Sequence, residues 1–501
     1  MKRLLCLLCT ALFLLPSLFS CANKPTVPLL KRTEVGLFDT VCTFSSFGDA
    51  AAFEAAADAL FAELTLLDLL FDCYLQDENA SNLAAVNASA GLAPVKVDER
   101  LIDFFLYVDS LPADLLEVVH PVMGALTLLW KEAEKTGIPP SKEALDQAAD
   151  HIEYFALVVD EKEGTLFLTD PAARLDVGAF AKGYAARVSR DLLAERGMES
   201  YLLDLGGMLL AEGNDPRTGK PPLLGIDHPL KENEPLCRFY ATDCALSTTA
   251  GDKRNFVYEG VLYHHIIDPS TLQPADSGIA SVTVCSDDPA LADALSTALF
   301  ILPEEQRHTL LENAAKRGSC SALLFTKEGA LLPSDGFPRE QARSDGGLST
   351  ALILLLILGV LCLLLILHKK KASIAAFMRR HPLFFSKRNL IFLSLVPTVC
   401  LLLLLVPRLI KDDDTVHAVV RHQGQVVKTL PLTEDGSYTF SCPEGKNLIV
   451  VENGRVFVSS ADCPGKECVM SAPLDKDDSL GVIACLPHGL TVTIEKEEKT
   501  P

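Results

Sequence analysis

From residue 33 to about 330 the spacing of apolar positions keeps changing between two periods. VCTFSSFG (41–48) predicts a strand, and DAAAFEAAADALFAELTLLDLLFDCY (49–74) repeats at three- and four-residue intervals, the mark of a long amphipathic helix. FALVVDEKEGTLFLTD (155–170) predicts a hairpin around an acidic, Gly-containing turn, and SYLLDLGGMLLAEG (200–213) a hairpin bent at Gly206-Gly207. IASVTVCS (279–286) predicts a strand and DPALADALSTALFIL (288–302) a helix. Strands and helices in this irregular order predict an α+β domain with mixed sheets over 33–330, not a regular βαβ series. After the polar linker 331–347 and an apolar region, short strand-like runs return. HAVVRHQGQVVKTLPL, SYTFSC, NLIVVENGRVFVSS, GVIACLP and LTVTIE predict a small all-β domain over 414–497.

The longest apolar runs suggest a different environment. MKRLLCLLCTALFLLPSLFSCANK opens with Lys2 and Arg3, continues through an apolar stretch and places Leu18-Phe19-Ser20 before Cys21, predicting a signal peptide over 1–21 with a lipid-accepting Cys21. Residues 348–367 and 390–409 are each near the length that spans a bilayer. The intervening 368–389 carries seven Lys or Arg and no acid, which the positive-inside rule makes a cytoplasmic loop. The expected architecture is thus two transmembrane helices in a bacterial cell membrane, with both folded domains extracytoplasmic.

A formal charge of −21 excludes a nucleic-acid-binding surface, which needs a basic stripe. The 15 cysteines are scattered and give no disulfide framework, except that Cys463, Cys468 and Cys485 are grouped locally. With His488 their spacing allows a zinc set. A Cys463–Cys468 disulfide is the favoured alternative for an exported domain.

Three stretches carry candidate chemistry. LDVGAFAKGYAARVSRDLLAERG (175–197) leads a strand through an Ala-Lys-Gly turn into a helix, an arrangement suited to an anion, although it lacks the spacing and the Ser/Thr of a P-loop. YHHIIDPSTLQPADSG (263–278) carries adjacent histidines, expected on opposite faces of a strand. In DPALADALSTALF, Asp293 and Thr297 are four apart on one helical face, a pair of hard oxygen ligands for a cation such as Mg²⁺. Each alone has an ordinary structural explanation.

Taken in order, FDTVCTFSSFG, SNLAAVN, LDVGAFAKGYAARV, YLLDLGGMLLAEG, YHHIIDPSTLQP and SVTVCSDDPALADALSTALF resemble the ApbE family of FAD:protein FMN transferases over residues 33–325. The resemblance implies transfer of FMN from FAD to a Thr or Ser hydroxyl of a target protein, with release of AMP. It implies metal ligation by the backbone carbonyl of Ala179 with Asp293 and Thr297, His265 as the base, and His264 pointing away. Lys182, Phe38, Asn82, Leu83, Ala84, His120 and Ile266 are the implied nucleotide contacts. The implied partner is an FMN-acceptor domain of a membrane or exported electron-transfer protein. Hydrolysis of FAD by water, or FAD binding without turnover by a lipoprotein, are the alternatives. The sequence departs from the family pattern at His120, in STTAGDKRNF, and at Leu272 where a Gly is typical. The C-terminal NLIVVENGRVFVSSADCPGKECV and GVIACLPHGLTVTIE resemble NusG domain II-like modules.

Overall fold

The computed structural model describes residues 27–338 and 416–496, apart from 78–79, 232–234, 252–253, 464–465, 472 and 477–480. The described residues within 27–338 and 418–495 form one compact unit.

The N-terminal domain is built on an eight-stranded antiparallel sheet. Its spatial order is Leu29–Val35, Val41–Phe47, Tyr201–Leu205, Met208–Glu212, Cys244–Ala250, Ile279–Ser286, Cys320–Thr326 and Leu331–Pro333. Neighbours in the chain pair as hairpins at Leu29–Val35/Val41–Phe47 and at Tyr201–Leu205/Met208–Glu212. The second hairpin turns at Gly206 and Gly207, with φ of 63° and 95°. A Cβ at Gly206 would stand 1.8 Å from Thr40 Oγ1, so the bend also needs a residue without a side chain.

Three helices cover the sheet and carry most of the core. Ala50–Phe71 starts at Asp49, whose carboxylate accepts from Ala52 N, and buries Phe53, Leu60, Leu64 and Leu67 on one stripe. Ala181–Glu195 buries its small residues Gly183, Ala185, Ala186 and Ser189. Pro289–Ile301 is buried nearly all round. Its start is set by the Asp288 cap and by Pro289 in the first turn, where no backbone N–H is missed. The expected hairpin at 155–170 is present as Leu157–Asp160 paired with Thr165–Leu168.

Among its described residues the C-terminal region is all-β apart from the short helix Glu467–Met470. Two four-stranded sheets are built from Val416–His422, Gln425–Pro431, Leu490–Lys496 and Val482–Cys485, and from Gly436–Cys442, Gly445–Glu452, Arg455–Ala461 and Leu474–Asp475. The mixed α/β and all-β parts of the expected architecture are therefore observed.

The membrane-spanning part is corrected. Among the described residues no helix is long and apolar enough to cross a membrane. The longest, Ala50–Phe71, has 22 residues but carries Glu54, Asp58, Glu63 and Asp68 and packs its apolar stripe into the core. The segments 348–367 and 390–409, the loop 368–389 and the leader 1–21 with Cys21 lie outside the described residues. The extracytoplasmic membrane location, which rested on those segments, is withdrawn with the two spans. A second correction concerns Cys463 and Cys468: both are free thiols, with their sulfurs 3.9 Å apart.

Candidate active site

The site is assembled where the N-terminus of Ala181–Glu195 meets the middle of Pro289–Ile301. The approach is tight because Gly183 has no side chain. A Cβ there would lie 2.5 Å from Asp293 Cβ and 2.6 Å from the Pro289 carbonyl oxygen. At this distance Gly183 N donates to Asp293 Oδ2 at 2.8 Å. Phe180, the residue before the helix, supplies no side-chain cap. Asp293 therefore satisfies an otherwise unpaired first-turn amide from another helix and places its negative charge at the positive end of the helix dipole. Much of the anion-binding capacity read from this turn is thus used by the chain's own carboxylate.

Asp293 is 6% exposed, and its other oxygen, Oδ1, accepts from Ser247 Oγ at 2.8 Å. Burial raises its pKa; the nearby Lys182 charge and the two hydrogen bonds oppose that rise. Thr297, one turn on, donates from Oγ1 to the Asp293 carbonyl at 3.4 Å and lies 3.3 Å from Thr249 Oγ1. Ser296 Oγ bridges Ser247 and Thr249 at 3.3 and 2.7 Å. The strand Cys244–Ala250 thus backs the helix with hydroxyl groups.

The loop before Ala181 is shaped by Asp176. Its Oδ1 accepts from Gly178 N at 2.9 Å, and its Oδ2 from Thr127 Oγ1 and Tyr74 Oη at 2.7 and 3.2 Å. Ala179 follows directly, on the surface of the same cleft.

The two histidines do different jobs. His264 uses both ring nitrogens: Nδ1 accepts from Ile266 N at 3.3 Å, and Nε2 lies 3.0 Å from the Ala275 carbonyl, to which it must donate. His265 has Nδ1 3.2 Å from the Arg254 carbonyl. A carbonyl only accepts, so Nδ1 carries the proton and Nε2 is left with its lone pair. The His265 ring is open to solvent yet recessed among protein atoms. Desolvation first, then the Arg254 charge, depress its pKa to about 4. The direction is what matters chemically: at neutral pH the imidazole is neutral.

Asp176, Thr249, Asp293, Thr297 and both histidines line one cleft of about 920 Å³, within the usual size for a small-molecule site. Of the residues singled out in the sequence, Phe38, His120, Ala179, Lys182, His265, Ile266, Asp293 and Thr297 line it. His264 lines it too, against the expectation that it points away. Its neighbour relation to His265 is broken because the strand Val261–His264 ends between them.

Asn82, Leu83 and Ala84 do not line the cleft. Asn82 is fully buried as the cap of Leu83–Ala88: its Oδ1 accepts from Ala85 N, and its Nδ2 donates to the Leu75 carbonyl at 2.7 Å. Leu83 and Ala84 lie in the core at 0% and 4% exposure. The SNLAAVN pattern is a helix start, which explains the Asn without a ligand. His120 is buried against Tyr154 and accepts from Val122 N at 3.3 Å, and desolvation holds its pKa near about 4.

Several groups that build or line the site escaped sequence reasoning. Ser247 sits at an alternating strand position with no marker of its own. Trp130, Tyr263 and Phe256 form an aromatic row on the wall, with centroids 5.7 and 5.3 Å apart and planes within 24° and 15°. Gly183 did carry a signal, since a glycine in the first turn of an Ala-rich helix is a costly choice that a close approach explains. From the C-terminal domain, Ser471, Val482, Ala484 and Leu486 also line the cleft, and Lys31 Nζ donates to the Gly481 carbonyl at 3.1 Å.

Comparison with known proteins identifies the family. Residues 38–324 match the ApbE family model, and residues 390–498 match NusG domain II. Among similar proteins, the FAD:protein FMN transferase of Treponema pallidum is 31% identical over 323 residues, covering 62% of this chain and 86% of that protein. The FAD:protein FMN transferase of Escherichia coli K12 is 27% identical over 335 residues, covering 64% of this chain and 92% of that protein. The crystal structure of the ApbE protein from Thermotoga maritima superposes with a TM-score of 0.55 at 24% identity, covering 62% of this chain and all of that one, and supports the shared fold. The chain belongs to the ApbE family.

Proposed function

We propose that this chain is an FAD:protein FMN transferase that moves FMN from FAD onto a Thr or Ser hydroxyl of an acceptor protein and releases AMP. The observation that carries the reading is the pairing of a buried Asp293 and half-buried Thr297 with a neutral, Nε2-available His265 in one cleft. Pure binding of a flavin requires neither a base nor a desolvated carboxylate.

The donors fit a hard divalent cation. A carboxylate, a hydroxyl and a backbone carbonyl are all oxygen ligands, and each Asp293 oxygen retains a lone pair beyond its one hydrogen bond. Ala179, Asp293 and Thr297 would hold Mg²⁺, which when bound offsets negative charge on the pyrophosphate oxygens. Burial raises the Asp293 pKa, and a cation favours its ionised form.

The chain's own residues account for the rest. His265 Nε2 takes the proton of the acceptor hydroxyl while the Arg254 carbonyl holds Nδ1–H and fixes the ring. The hydroxyl oxygen bonds to the FMN phosphorus, and the bond from that phosphorus to the bridging oxygen breaks, leaving with AMP. Lys182, on the helix that contacts Asp293, supplies positive charge beside the phosphates. The Trp130–Tyr263–Phe256 row offers a flat apolar wall for a ring of the nucleotide.

The test incubates the full chain with FAD, Mg²⁺ and an FMN-binding acceptor domain, and follows AMP by chromatography and flavin fluorescence of the acceptor in a denaturing gel. Labelled acceptor with matching AMP supports the reading. Bound FAD that is never consumed refutes it.

A further inference from the structure

Away from the cleft, the C-terminal domain holds a second concentration of chemistry. Cys463, Cys468 and Cys485 have their sulfurs all within 4.8 Å of one another, and the three residues are 3%, 1% and 2% exposed. They arrive from separate places: Cys463 follows the strand Arg455–Ala461, Cys468 is in the helix Glu467–Met470, and Cys485 ends the strand Val482–Cys485. Lys466 adopts a left-handed φ of 52° between the first two, turning the chain so that both thiols face inward.

The surroundings are those of a ligand set. Asn447, fully buried, donates from Nδ2 to Cys468 Sγ at 3.4 Å. Its Oδ1 lies 2.6 Å from His488 Nδ1, which must donate to it. His488 is itself 2% exposed and faces Asp462 at 3.4 Å through Nε2. Asn447, held by the buried His488 with the exposed Asp462 on that ring's far side, thus aims an N–H at sulfur, an arrangement that favours the thiolate and orients it. His488, counted with the cysteines in the sequence, belongs to this supporting chain.

The separation argues against the disulfide. Bonded sulfurs stand about 2.05 Å apart, whereas Cys463 and Cys468 are 3.9 Å apart. Two sulfurs each about 2.3 Å from a shared tetrahedral ion stand roughly 3.8 Å apart. A disulfide would also leave a third inward-facing thiol without a role.

We propose that Cys463, Cys468 and Cys485 form a trithiolate site for a thiophilic d¹⁰ cation, Zn²⁺ or Cu⁺. Soft sulfur ligands select these ions over Mg²⁺ or Ca²⁺. Among the described residues no fourth His, Cys, Asp or Glu joins the group; three thiolates make a trigonal set for Cu⁺ or three of the four tetrahedral positions for Zn²⁺. Ala484 and Leu486, on either side of Cys485, line the flavin cleft. The ion would therefore brace the strand that contributes to that wall.

The experiment uses the full chain, reduced and stripped of metal, loaded in separate arms with Zn²⁺ or, anaerobically, Cu⁺. After gel filtration, metal content is measured and cysteine alkylation is mapped by peptide mass spectrometry. Expected is one ion retained per chain in one or both arms, the preferred arm identifying the ion. The three cysteines should resist alkylation until a chelator is added. Asn447→Ala, which keeps all three ligands, should weaken binding by about 10–100-fold, and Cys485→Ser by at least about 100-fold. Cys442→Ser, in the separate His422–Cys442–Glu444 group, should leave the stoichiometry unchanged. The proposal is overturned if the three thiols alkylate at one rate with and without metal, if Cys442→Ser removes the bound ion, or if the isolated chain carries a Cys463–Cys468 disulfide and retains no ion on reduction. The alkylation result needs no variant, so a poorly folding mutant cannot rescue the idea.

Discussion

Gly183→Ala puts the construction of the site under direct strain. The new methyl would meet Asp293 Cβ at 2.5 Å, the Pro289 carbonyl at 2.6 Å and Ala290 Cα at 2.9 Å, two of them backbone atoms that cannot swing aside. The helices must separate, and the 2.8 Å hydrogen bond from Gly183 N to Asp293 lengthens or breaks. Overpacking costs about 1–3 kcal/mol, loss of a hydrogen bond to a charged group about 1.5–3, and the better helix propensity of Ala returns about 1. The net expectation is a loss of roughly 2–5 kcal/mol, read as a lower urea midpoint. Because the displaced group is Asp293, turnover should fall by about 10²-fold in the fraction that remains folded. Stability and turnover both within twofold of the parent would show that the helix contact does not build the site.

The remaining expectations are briefer. The acid limit of kcat/KM should lie well below the ordinary imidazole value, toward about 4, because His265 is held neutral; a limit at or above 6.5 would contradict that environment. His120 is buried with its pKa near about 4. The unfolded chain therefore binds more protons between about 4 and 6.5, and stability should fall as pH drops through that window, by about 3 kcal/mol from this group. His120→Phe should flatten that slope. Mg²⁺ should raise the melting temperature in a concentration-dependent way, worth about 2.7 kcal/mol at a hundred times Kd. Asp293→Asn should abolish that rise, and an unchanged rise would place the cation elsewhere. Leu272 holds φ at 61° while its carbonyl accepts from Trp130 Nε1 at 3.0 Å. Leu272→Gly should relieve about 1 kcal/mol of backbone strain, partly offset by lost apolar contact, and a marked loss of stability would show that packing dominates.

The sequence carried local information well and long-range information poorly. The bend at Gly206-Gly207 and the Asp288-Pro289 helix start are written in neighbouring residues, and both are observed. Asp293 and Thr297 share a face by helical periodicity alone. What Asp293 touches is another matter: Gly183 is 110 residues away and Ser247 46. The Ser247 contact has no local marker, and Gly183 marks a close approach without naming its partner, so the sequence alone presents the turn at 179–183 as an open anion cradle, whereas the Gly183 amide is taken by Asp293. Asn82 shows the converse: its cap role at Leu83–Ala88 is local and legible, whereas its place among the nucleotide contacts came from the family resemblance alone. Strand periodicity alone puts adjacent histidines on opposite faces, but the strand ends at His264, and both residues line the cleft.

The central claim is tested most directly by the intact mass of an acceptor domain after incubation with the chain, FAD and Mg²⁺, run beside His265→Ala. The account predicts a gain equal to FMN minus water with the parent chain, lost on chelation and strongly reduced with His265→Ala, although that variant still binds FAD. An unlabelled acceptor alongside free FMN and AMP would mean that water is the nucleophile. Equal labelling by parent and variant would remove His265 as the base and, with it, the mechanism derived from this cleft.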